Sequence, residues 1–121
     1  MNAAVQVYEM TGRKLVQGRV AEAMAFSKAA RALEDARVNA EDRDKLREAL
    51  RFNRLIWTAV QAEISDTNST LPRMLKAGLM SLSMFVDRIL DQAPVNFDPS
   101  QLQVLIDLNR EMASGLMESR N

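Results

Sequence analysis

The sequence contains no cysteine and no histidine. Those two absences exclude a disulfide framework, a thiolate or imidazole metal site, a cysteine or histidine nucleophile, and imidazole acid–base chemistry. Neither sign of charge dominates: 16 Lys and Arg meet 16 Asp and Glu, for a net charge of zero. A grip on nucleic acid or on an anionic membrane by bulk electrostatics is therefore not expected. Long apolar runs are missing as well. The longest nearly uncharged stretch, residues 77–86, is about half of the roughly 20 residues that a membrane span needs. The first fifteen residues scatter Glu9, Arg13 and Lys14 through mixed sequence, unlike a signal peptide, so a cytoplasmic location is expected. Three prolines, four glycines and 5% aromatics point to a small helical protein without enzymatic activity.

What is present supports that reading. At 121 residues, 47% apolar and 26% charged, the chain has the length and balance of one globular domain. Four segments show helical period. In the first, over 18–38, Phe26, Ala30 and Leu33 share one side with Ala23, Ala29 and Ala36, while Lys28, Arg31 and Asp35 collect opposite. Gly12 and Gly18 interrupt the pattern upstream, so residues 1–17 read as an N-terminal arm or short separate helix. Asn39 is the expected N-cap of a second helix over 40–64, whose stripe is Leu46, Leu50, Asn53, Trp57, Val60 and Ile64.

Residues 65–70 are six small polar residues, a loop, after which Pro72 suits the first turn of a third helix. Its stripe is Leu75, Leu79, Leu82, Val86 and Ile89, and Ala93-Pro94 ends it. Asp98-Pro99 opens a fourth helix, with Asp98 as cap and Gln101 at the capping-box position. That helix presents Leu102, Ile106, Asn109, Ala113 and Leu116, then frays over 119–121. Four amphipathic helices with short connections predict an all-α fold: an antiparallel four-helix bundle over 18–118 preceded by the short arm.

The sequence shows no phosphate loop, no Gly-rich fingerprint and no acidic cluster at metal spacing, so neither metal nor cofactor is expected. Every Asp and Glu lies off the apolar stripes, mostly beside Lys or Arg, as on solvated helix faces. Asn68-Ser69-Thr70 has the form of a glycosylation sequon, which means little without a secretion signal.

Three features stand out. Asn53 and Asn109 sit on apolar stripes, each followed by arginine. Their amides either bond across helices and, with Trp57, make a structural polar core, or meet a partner directly. Met80 and Met84, one turn apart, lie off the leucine face, either as an adaptable contact surface or as ordinary scatter; Met24 and Met112 are assigned to the core. Finally, Phe52, Leu55, Ala59 and Ala62 make a second apolar strip on the second helix. Either the first helix covers it or it forms a groove for an incoming amphipathic helix. The candidate partner-binding residues are thus Phe52, Leu55, Ala59, Met80 and Met84.

ALRFNRLIWTAV (49–60), Leu71-Pro72, LKAGLMSLSMFVDRIL (75–90) and LIDLNREMASGL (105–116) resemble, in this order, the FlaF family of flagellar biosynthesis regulators. SKAARALEDA (27–36) is similar to that family's first helix, so the resemblance spans about residues 18–117. Where the family tends to open that helix with Pro-Arg, this chain has Gly18-Arg19, and upstream only Tyr8 corresponds.

The resemblance implies a non-enzymatic role: a chaperone that binds flagellin and supports its synthesis and secretion, acting opposite a translational repressor of the FlbT type. Two alternatives stand beside it. One is a post-transcriptional regulator that acts on a repressor protein or on flagellin mRNA without binding flagellin. Arg47, Arg51 and Arg54 form the local basic ridge that an RNA contact would use, although zero net charge disfavours nucleic acid. The other is a homodimeric bundle that self-associates through the second strip.

Overall fold

The computed structural model describes the backbone of residues 3–93 and 98–118, and the side chains of residues 21–93 and 98–117. The described residues form four α-helices and no strand: α1 (Ala3–Val38), α2 (Arg43–Ser65), α3 (Arg73–Gln92) and α4 (Pro99–Glu118). The architecture is all-α, in keeping with a helical bundle.

The backbone of α1 is one helix of 36 residues, about 54 Å long, and it starts well before residue 18. Gly12 and Gly18 lie inside it. Each glycine costs a helix roughly 1 kcal/mol relative to alanine, which two isolated positions in so long a helix can absorb. The division between arm and bundle is therefore not marked by a break in the backbone. Tyr8 has no described side chain, and the expected Pro94 stop and the fraying over 119–121 lie outside the described residues.

The turn between α1 and α2 departs from the expected cap. Asn39 does not open α2. Its side-chain amide donates to Asp35 O at 2.8 Å and its backbone N–H donates to the same oxygen at 3.0 Å, so it closes α1. Asp42 caps α2 instead, its Oδ1 accepting from Lys45 N at 3.1 Å. The reason is local: Asn39 satisfies a carbonyl that the end of α1 leaves open, and the next good acceptor is three residues on. Pro72 is the N-cap of α3 rather than its first residue, and Ala93 N–H closes the other end on Ile89 O at 2.9 Å.

Packing centres on α1. Its most extensive contact is with α4, a lesser one joins it to α2, and α3 docks on α2 without contact of that extent to α1 or α4. Alanine explains the first two. Ala23, Ala29, Ala30 and Ala36 are all buried on α1, and their small side chains let neighbouring helices approach closely around Phe26 and Leu33. The core is completed by Leu50, Ile56 and Trp57 from α2, Val86, Ile89 and Leu90 from α3, and Leu102, Leu105 and Ile106 from α4. The stripe on α3 is only half used: Val86 and Ile89 are buried, Leu79 and Leu82 are half-buried, and Leu75 is exposed.

Candidate functional site

At the centre of the fold the two asparagines and the tryptophan form one relay. Trp57 Nε1 donates to Asn109 Oδ1 at 3.0 Å, and Asn109 Nδ2 donates to Asn53 Oδ1 at 2.5 Å. Asn53 Nδ2 then donates to Ala49 O at 2.8 Å and to Ala29 O at 3.4 Å. All three side chains are fully buried, and no buried side-chain polar atom among the described residues lacks a partner. The Phe26 ring meets Trp57 edge-on at 5.4 Å between centroids. The relay thus ties α4 to α2 and α2 to α1 with directional bonds inside an apolar core, where any slip in register would strand a polar group. The relay has no exposed atom to offer a partner directly.

The seam between α2 and α3 is polar. Arg54 bonds Asp91 at 2.7 Å and reaches Asp87 at 4.0 Å, while Gln61 donates to Asp87 Oδ2 at 2.8 Å. Arg47 pairs with Asp44 at 3.3 Å. Two members of the basic ridge on α2 are therefore already engaged, which leaves Arg51.

One open surface lies between α1 and α2. A shallow groove of about 430 Å³ is lined by Lys28, Ala32 and Asp35 on α1 and by Lys45, Glu48, Ala49, Arg51, Phe52 and Leu55 on α2. Helix α1 covers only part of the second strip. Phe52 is half-buried with Lys28 Nζ 5.1 Å from its ring centroid, whereas Leu55 is 66% exposed and Ala59 and Ala62 are exposed. The α1 side of this groove had no signal in the α2 pattern. Lys28, Ala32 and Asp35 recur at four and three residues on α1, and only reading both helices together would have paired them with Phe52.

The methionines distribute differently from expectation. Met24 is 66% exposed rather than in the core, because the α1 positions facing inward are Ala23 and Phe26 on either side of it. Met112 is half-buried against the core. Met84 is 57% exposed, but Met80 is half-buried, with the Ser83 hydroxyl 2.9 Å from its carbonyl and 3.8 Å from its sulfur. No residue of α3 lines the groove, so the structure does not bring Met80 and Met84 together with Phe52 and Leu55.

Among the described residues no group of three His, Cys, Asp or Glu side chains is placed to hold a metal, and no helix is long and apolar enough to cross a membrane. What the fold and groove define is a small all-α protein with open apolar surface between two helices. The chain belongs to the FlaF family: the family model described as Flagellar protein FlaF matches residues 4–116. It is thus a flagellar-related protein. The match begins at residue 4, so the family pattern takes in the first part of α1 that the sequence resemblance left out. Neither the curated proteins nor the solved structures give a significant match.

Proposed function

We propose that this protein is a non-enzymatic chaperone of the cytoplasm that binds flagellin and so supports its synthesis and secretion, with a translational repressor of the FlbT type as a second partner. Membership of the FlaF family supplies the flagellar context. The observation that carries the reading is the exposed Leu55 beside the half-buried Phe52 in the α1–α2 groove. Amphipathic segments that are disordered before assembly need an apolar surface to cover them, and a groove between helices is a usual way to provide it. Two of the three arginines of the basic ridge on α2, Arg47 and Arg54, are held by carboxylates, which weakens the ridge as an RNA contact.

The test is co-expression with flagellin followed by gel filtration. Wild-type protein should co-elute with flagellin, and Leu55→Glu should abolish co-elution while its far-UV circular dichroism stays unchanged. Flagellin and this protein eluting apart under all conditions would overturn the chaperone reading. Co-elution with the repressor alone would then favour the regulatory alternative.

A further inference from the structure

The groove is charged unevenly along its length. Two contacts fix which levels of α1 and α2 lie side by side: Phe26 against Trp57, and Ala29 O against Asn53 Nδ2. On that alignment Lys28 and Arg51 flank the apolar floor at Phe52 and Leu55. Asp35 lies about two turns from Lys28 along α1, and Glu48 lies about one turn from Arg51 along α2 with Lys45 a further turn on, all in the lining of the same groove. Lys28 and Arg51 make one end positive, and Asp35 and Glu48 outweigh Lys45 at the other.

Several of these charges are unengaged. Some neighbouring charged residues are paired, Arg37 with Glu34, Arg47 with Asp44 and Arg54 with Asp91. The charged groups of Asp35, Lys45, Glu48 and Arg51 make no hydrogen bond or ion pair with another described residue. Lys28 rests over the Phe52 ring. An apolar partner that covered the floor would remove water from these groups, at a cost unless it brought opposite charges to them.

We infer that the groove takes one amphipathic helix of a partner protein, in one direction. That helix carries acidic residues beside its apolar anchor, facing Lys28 and Arg51, and a basic residue one to two turns along, facing Asp35 and Glu48. Its carboxylate draws the Lys28 ammonium away from the Phe52 ring, and its anchor takes that place. The inference rests on the reading of this chain as a binder of another protein's helix, and it adds the chemistry and direction of that helix.

The experiment is a two-dimensional ¹H–¹⁵N NMR titration of the full chain with two synthetic amphipathic peptides. They share one apolar face, and their acidic and basic ends are exchanged. The matched peptide should shift the amides of Lys28, Arg51, Phe52 and Leu55 and bind about five- to tenfold more tightly than the exchanged one, as two extra ion pairs would give. The double variant Lys28→Glu, Arg51→Glu should reverse that preference, with circular dichroism reporting an intact fold. Equal affinity for both peptides, shifts confined to other faces, or no shift with either would overturn the inference. Wild-type co-elution with flagellin despite a negative titration would leave the chaperone reading standing alone. Discrimination between the peptides without flagellin co-elution would remove the chaperone reading and leave the groove.

Discussion

Asn109 is the middle link of the buried relay, and the two asparagines should not be equivalent on truncation. Asn109→Ala strands two groups, the Trp57 N–H and the Asn53 carbonyl oxygen, whereas Asn53→Ala strands only the Asn109 amide N–H. Each orphaned group costs about 1–3 kcal/mol in a dry core, so urea unfolding should find Asn109→Ala the less stable variant by roughly that amount. Equal stabilities would mean that the relay relaxes or takes in water. That both asparagines lie on core-facing stripes was legible from their spacing. That Ala29 supplies an acceptor was not, because a backbone carbonyl carries no residue-type signal. Asp98 gives a second test at this scale. The Ser100 hydroxyl and amide, together with the Gln101 amide, hold its carboxyl below the ordinary aspartate value. Its folded pKa is thus below its unfolded one, so its contribution is present above the ordinary value and is lost as pH falls through the lowered one. Asparagine caps a helix about as well but does not titrate here. Asp98→Asn should therefore flatten the acid side of the stability–pH curve, with Glu34, lowered by Arg37, keeping part of the slope. An unchanged acid slope would deny Asp98 that share.

At the scale of the element, the core faces of α1, α2 and α4 were readable because each carries a helical stripe that is buried or half-buried. The ends were harder. Asn39 and Asp42 are both good caps three residues apart, and the choice between them turns on whether Asn39 is needed to close α1, which depends on where α1 stops. The strip on α2 was visible as apolar, but its exposure depended on how far α1 reaches over it, a packing distance absent from either helix's pattern. Met24 failed for a related reason: the inward arc of α1 runs through Ala23, Phe26, Ala30 and Leu33, and position 24 falls outside it. Helix α3 offers a clean test of propensity. Gly78 is exposed, and a Cβ built there meets nothing within 4 Å. Gly78→Ala should raise stability by about 0.5–1 kcal/mol, because the loss of backbone freedom falls without any clash. A thermal melt showing no gain, or a loss, would mean that the glycine is needed for something other than space.

Across the whole molecule, stability should be uneven along α3. Its second half is anchored twice, by Val86, Ile89 and Leu90 in the shared core and by Asp87 and Asp91 on α2. Its first half has neither anchor to that degree: Met74 is 88% exposed, Leu75 is exposed, and Lys76 reaches only the carbonyl of Ser69, at 3.3 Å. Local opening follows contact density, so the first two turns of α3 should unfold at lower free energy than the bundle centre. Trp57 is the only tryptophan, fully buried where α1, α2 and α4 meet, so its fluorescence reports the loss of that junction and not of the start of α3. Amides at 77–80 should then exchange with solvent well before those at 86–90, and helical circular dichroism should begin to fall at lower urea than the Trp57 signal. Coincident transitions and uniform protection along α3 would make the four helices one cooperative unit. The exposed leucine and methionine at the start of α3 would then be held by contacts stronger than their burial suggests.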